Sequence, residues 1–191
     1  MESIKRILTD YLRCDVEEVD ALLNKYNTNI KLANATSEEI SECFDGNMST
    51  SVCIKLIFSL ISRRVCDSFK LKSVHTEEEI KKYFSALFLP LSEETVYLMS
   101  LDEGGRVSSV DFVTEGTVNA LGVIPRRLLD IALKRGAASV IIAHNHPSGY
   151  AIPSSEDVSS TEVIKDALHS AGIDLVAHYV VAGADVETVK L

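Results

Sequence analysis

The chain has 191 residues, with 19 Lys and Arg against 28 Asp and Glu, a formal net charge of −9. That length suits one medium domain or two small ones, and an apolar fraction of 46% is ample for a core. The acid excess is concentrated: residues 1–75 hold 10 basic and 11 acidic side chains, residues 76–191 hold 9 and 17, which argues against the second half as a nonspecific binder of phosphate backbones. No apolar run approaches the ~20 residues that a bilayer span needs. Met1 to Tyr11 carries no signal-peptide core, so a cytoplasmic protein without a membrane partner is the expectation. Cys14, Cys43, Cys53 and Cys66 make no Cys-x-x-Cys pair and read as buried or partly buried thiols.

Ser3 to Cys14 has Ile4, Ile7, Leu8, Tyr11 and Leu12 at helical spacing. Asp15 is an N-cap for a second helix, Val16 to Tyr26, that buries Val19, Leu22 and Leu23. Asn27 to Asn34 reads as a loop. Thr36 and Glu39 form a capping box for a short helix to Phe44, and Asp45-Gly46-Asn47 is a turn signal. Ser49 or Ser51 then caps a longer helix to Cys66, with Val52, Leu56, Leu60 and Val65 among its apolar positions. The basic cluster Arg63, Arg64, Lys70 and Lys72 reads as a solvated helix end. Lys70 to Val74 is a linker. Thr76 and Glu79 open a helix to about Phe88, ended by Pro90.

Thr95–Leu101 and Arg106–Thr114 are extended runs joined by Asp102-Glu103-Gly104-Gly105, a hairpin signal. Pro125 suits the first turn of a helix and Gly136 its end, with Leu128, Leu129, Ala132 and Leu133 as the buried face. Ala138 to Ala143 is an apolar run bounded by Gly136 and a His-Pro turn, a buried strand. A helix from Ser154 or Ser155 to Ala171 follows, then strands over Asp174–Ala182 and Val186–Val189. Strands and helices alternate as in an α/β or mixed α+β layer arrangement.

The chemistry is concentrated at the end of the apolar strand. His144 and His146 are two apart and project to one side of an extended chain. Asp157 returns from the start of the next helix, where Ser154 and Asp157 also have capping-box spacing. Two imidazoles and one carboxylate leave a fourth position open on a tetrahedral ion, the catalytic pattern for zinc. Such a site needs a base that is not a ligand. Glu93, Glu94, Glu103 and Glu115 are the candidates. Glu94 stands immediately before the first strand, and Glu93 faces the other way if the strand has begun. Glu115 belongs more naturally to a substrate cleft. Asn145 points away from the two histidines and reads as structural, His75 and His169 as surface residues.

His144-x-His146-x7-Ser154-x-x-Asp157 resembles the JAMM signature of the MPN/JAB metalloprotease fold. The longer string His144-Asn145-His146-Pro147-Ser148-Gly149, with Pro153-Ser154 and Glu156-Asp157, is similar to its bacterial RadC (UPF0758-type) branch. So are Glu115 to Ala120, Pro125-Arg126 and Ala137-Ala138. The likeness is close from Glu94 onward and loose before it. It implies an α/β fold of mixed α+β character: an MPN/JAB, cytidine-deaminase-like sheet flanked by helices over residues 71–191, behind a small all-helical domain over residues 1–70. It further implies Zn²⁺ on His144, His146 and Asp157, Glu94 as the base that begins the first strand, and Ser154 assisting the oxyanion. The activity implied is cleavage of an amide or isopeptide bond in a protein or peptide.

The first domain resembles a degenerate helix-hairpin-helix. Its turn, Asp45-Gly46-Asn47-Met48, has an acid and a single Gly where approach to a DNA phosphate wants glycines, which favours a structural or docking role. RadC relatives carry an acid before the residue matching His178, where this chain has Ala177. His178 itself lies on a later strand and, independently of that departure, reads as a partly buried imidazole near the site rather than a ligand. Three further readings stand beside the peptidase: a DNA repair or recombination protein, a metal-dependent nuclease drawing on Arg126, Arg127 and Arg135, and a non-catalytic scaffold.

Overall fold

A mixed five-stranded sheet between two helical layers frames the site. The computed structural model describes residues 2–70, 75–116 and 123–190. The strands are β1 (Thr95–Leu101), β2 (Val107–Glu115), β3 (Ser139–Asn145), β4 (Asp174–Ala182) and β5 (Asp185–Thr188), in the order β2-β1-β3-β4-β5. The pair β3–β4 is parallel and the other neighbours are antiparallel. The β1–β2 hairpin closes where the Asp102 carboxylate accepts from the Gly104 and Arg106 N–H groups, both at 2.9 Å.

The apolar run of β3 shows no alternation because both faces of the strand are covered. Val140 and Ile142 pack with Leu98, Val113, Leu128, Ala132, Ile164 and Leu168 beneath α7 (Val123–Arg135) and α8 (Ser155–Ser170). Ile141 and Ala143 pack on the other face with Met99, Tyr179, Val181 and the aromatic side of α6 (Glu77–Phe88). Helix α8 is the crossover between the two parallel strands. Its N-terminus therefore comes back to the carboxyl end of β3, the place where open α/β sheets hold ligands.

The chain before the sheet is helical: α1 (Glu2–Arg6) running into a π-helical turn at Ile7–Tyr11, α2 (Val16–Lys25), α3 (Asn29–Asn34), α4 (Ser37–Ser41) with a 3₁₀ turn to Phe44, and α5 (Met48–Lys70). Leu8, Val19, Leu22, Leu32, Ile40, Phe44, Ile54 and Phe58 share one core there. The first half of α5 lies in that core, while its Cys66 and Phe69 reach the core beneath the sheet. The residues around the expected linker, 71–74, lie outside those described, as do 117–122 of the stretch that resembles RadC. None of the four cysteines is in a disulfide; Cys66 is buried and the others are half-buried. Among the described residues no helix is long and apolar enough to cross a membrane.

Several local expectations change. Residues 27–34 are not all loop: Thr28 caps α3 through the Lys31 N–H at 3.2 Å, and the Lys55 ammonium closes its other end on the carbonyls of Ala33 and Ala35. A six-residue helix is too short to leave a period in the sequence, so an interaction from α5 decides it. Helix α5 begins earlier than Ser49, with the Asn47 side chain accepting from the Thr50 N–H at 3.3 Å. The apolar stripe Val52, Leu56, Leu60 and Val65 faces solvent, Leu56 being 54% exposed, and the buried face is Ser51, Ile54, Phe58, Ser62, Cys66 and Phe69. Two apolar stripes compete along this helix, and only the tertiary packing selects between them. On α7, Leu128 and Ala132 are buried but Leu133 is 57% exposed. His75 is not a plain surface residue; it stacks on Phe69 with ring centroids 3.6 Å apart.

This assignment of the faces of α5 is testable by chemical denaturation. Phe58→Ala is expected to cost about 3–5 kcal/mol as a large core truncation, whereas Leu56→Ala should stay within about 0.5 kcal/mol of wild type.

Candidate metal centre

The last two residues of β3 and the turn after it bring the histidines out at the sheet's edge. His144 is buried, at the level of Val96 on β1 and Val180 on β4. His146 follows just past the strand, its N–H still bonded to the Val181 carbonyl at 2.8 Å. Both stand on the α8 side of the sheet, the side of Val140 and Ile142. The β3–α8 connection swings back so that Ser154 caps α8 and Asp157 sits in its first turn.

The result is one cluster. His144 Nε2 lies 3.1 Å from His146 Nε2 and 3.1 Å from Asp157 Oδ1. His146 Nε2 is 3.7 Å from Asp157 Oδ2. Among the described residues, these three offer ligand atoms within 4.8 Å of one another. Ser154 touches the group through Asp157 and His178 touches it through His144.

The hydrogen bonds indicate what the cluster suits. His146 Nδ1 is 3.0 Å from the Tyr150 carbonyl. A carbonyl only accepts, so Nδ1 carries the hydrogen and Nε2 is left to offer its lone pair. The two Asp157 oxygens divide their work. Oδ2 accepts from the Ser154 N–H at 2.7 Å and from the Ser154 hydroxyl at 2.6 Å, while the Asp157 N–H bonds back to Ser154 Oγ at 3.1 Å. This is the expected capping box, and it leaves Oδ1 facing His144. Burial alone raises the Asp157 carboxyl, but His144 beside it and the bonds from Ser154 hold it well below the usual carboxylate range. Two imidazole nitrogens and a carboxylate oxygen thus converge on one point, a ligand set that fits a divalent cation.

His178, on β4 at the level of Ile142, stands behind His144. Its Nε2 is 2.9 Å from His144 Nδ1 and its Nδ1 is 2.7 Å from Thr161 Oγ1. Burial, with His144 next to it, pushes its pKa down to about 3, so the ring is neutral at ordinary pH. Thr161 was not singled out in the sequence. The signal that could have found it is its spacing, one helical turn beyond Asp157 on the same face of α8.

The strand register sorts the candidate bases. Thr95 begins β1 opposite Glu115, and Val96 lies opposite His144. The Gly116 N–H still bonds the Glu94 carbonyl at 2.7 Å, so the chain remains extended at Glu94. Two residues before Val96, Glu94 belongs to the face that carries His144 and His146. Glu115, level with Thr95, is on the opposite face, near Tyr97. Glu93 is exposed and out of step with Glu94, and Glu103 is in the distant hairpin turn. Asn145 does point away from the histidines, and it has a structural task there. Its Oδ1 accepts from the Thr95 N–H at 2.8 Å and its Nδ2 donates to the Glu93 carbonyl at 3.0 Å. The residue between the two histidines therefore clamps the segment that contains Glu94.

A sheet covered by helices, with a His-x-His strand end facing a carboxylate on a helix N-terminus, defines an α/β protein whose His144, His146 and Asp157 could hold a metal ion. Residues 74–189 match the family described as the RadC-like JAB domain, and the chain belongs to that family. Its relatives include the UPF0758 protein of Vibrio parahaemolyticus, 29% identical over 89% of this chain and 76% of that protein. The UPF0758 protein of Vibrio cholerae is 31% identical over 87% of this chain and 75% of its own length, and that of Cupriavidus pinatubonensis 33% identical over 71% and 60%.

The clamp yields a stability prediction. Asn145→Ala leaves the buried Thr95 N–H without its acceptor and is expected to cost about 1–3 kcal/mol in urea denaturation. A change of less than about 0.5 kcal/mol, within the range of a neutral surface substitution, would remove Asn145 from this role.

Proposed function

We propose that the protein is a zinc-dependent hydrolase that cleaves an amide or isopeptide bond in a protein or peptide. The observation that supports it most is the convergence of His144, His146 and Asp157, whose ligand atoms all lie within 4.8 Å of one another. These three side chains would hold the ion. A zinc ion bound there supplies a Lewis acid for the carbonyl and lowers the pKa of water toward ~7.

The protein's own groups do the rest. Glu94, on the same face of the sheet as the histidines, takes the proton from the attacking water on its carboxylate and returns it to the leaving amine. Ser154 lies at the N-terminus of α8, where the helix favours negative charge. Its hydroxyl, hydrogen-bonded to Asp157 Oδ2 in the resting site, is the group we assign to the developing oxyanion. Asn145 holds the segment of Glu94 at a set depth beside the histidines.

The arginines that a nuclease would need are occupied or exposed. The Arg135 guanidinium is paired with Asp111, that of Arg127 lies 5.9 Å from the centre of the Phe112 ring, and Arg126 is exposed on α7. This favours a carbonyl over a phosphoester as the substrate.

Elemental analysis is the first test. Wild type is expected to hold about one zinc per chain and the folded His144→Ala/His146→Ala variant none. Glu94→Gln should keep the zinc and lose about 10²–10⁴-fold in turnover of peptide or isopeptide substrates. Absence of metal from wild type supplied with zinc would overturn the hydrolase reading.

A further inference from the structure

The hydrogen bonds behind His144 have a direction, which can be followed one donor at a time. The Thr161 hydroxyl donates to the Asp157 carbonyl, one turn back along α8. A hydroxyl has a single hydrogen, and with that hydrogen committed its oxygen can only accept from the His178 Nδ1, 2.7 Å away. A neutral His178 with its hydrogen on Nδ1 has a bare Nε2. That nitrogen, 2.9 Å from His144 Nδ1, can only accept, so the hydrogen of His144 is on Nδ1. In the neutral ring, the form that binds a metal, the lone pair of His144 is then on Nε2, the atom that faces His146 and Asp157. Each step follows from the one before it, and the chain begins at a backbone carbonyl, whose role as an acceptor is invariable.

We propose that Thr161 and His178 are positioning residues that fix the tautomer of His144, presenting its bare Nε2 to the metal. The inference rests on the reading of His144, His146 and Asp157 as metal ligands. The relay is buried, with His144, Thr161 and His178 all under 6% exposed, so water does not substitute for a missing partner. It also joins the two ligand-bearing elements. Asp157 and Thr161 lie one turn apart on α8 and His144 is on β3, with His178 from β4 between them. The His146 ring obtains the same tautomer independently, from the Tyr150 carbonyl. The Ala177 that precedes His178 does not bear on this, because the relay uses the imidazole alone.

The test is carried out first on metal-free protein. Long-range ¹H–¹⁵N correlation spectra distinguish a protonated ring nitrogen from a bare one. The expected result is His144 and His178 each protonated on Nδ1. His178→Phe keeps the ring volume but removes the acceptor. It should leave His144 in mixed tautomers and weaken zinc binding, measured by competition with a chelator, by about 10–100-fold. His178→Gln retains an acceptor toward His144 and a donor toward Thr161, and is expected to stay within about threefold of wild type. Thr161→Val should loosen the His178 tautomer and Thr161→Ser should restore it. All variants are checked for folding by circular dichroism. Wild-type His144 protonated on Nε2, or a folded His178→Phe that binds zinc like wild type, would overturn the relay. The expected tautomers in a protein that takes up no zinc would support the hydrogen-bond relay itself while overturning the metal reading on which its purpose rests.

Discussion

Two imidazole nitrogens 3.1 Å apart beside a carboxylate oxygen need a proton or a metal ion between them. Each of the three groups is kept there by bonds made elsewhere on its own side chain. His146 is held by the Tyr150 carbonyl, His144 by His178, and Asp157 by the backbone and hydroxyl of Ser154. The surrounding fold consists largely of the supports for those three bonds. β3 supplies the two-residue spacing of the histidines, β4 the imidazole behind them, and the crossover α8 the carboxylate.

Helix α8 illustrates how little sequence this requires. Asp157, Thr161, Ile164 and Leu168 follow one another on its inner face at intervals of four, three and four residues. The first points at the cluster, the second at His178, and the last two into the core with Val140 and Ile142. One stripe thus passes from polar to apolar as it leaves the sheet's edge, and the packing that stabilises the helix also sets the depth of its carboxylate. The capping box works the same way. An Asp at the third helical position is stabilising at any helix start, and here its second oxygen is left over for the cluster.

Much of this was legible in the chain itself. The buried strand before His144, the hairpin at Asp102 and the capping boxes at Thr36, Thr76 and Ser154 are local patterns, each written within a few adjacent residues, and the structure contains all of them. The buried face of α5 was not legible, because Val52, Leu56 and Leu60 have helical spacing as good as that of Ile54 and Phe58. Helix α3 was missed because part of its stability comes from Lys55, more than twenty residues away. His75 looked like a surface residue because its stacking partner Phe69 belongs to α5, an element apart from its own segment.

The same division applies to the site. Spacing in the sequence determined that His144 and His146 share a side, that Ser154 and Asp157 cap a helix, and that Asn145 points the other way. These follow from the periods of strand and helix, two residues and about 3.6. Only the tertiary structure decided that Asp157 meets the histidines, that Glu94 rather than Glu115 shares their face, and that Thr161 and His178 stand in line behind His144. Those relations depend on strand register and on the return of the β3–α8–β4 crossover. Both are settled by long-range packing, for which no short stretch of sequence holds enough information.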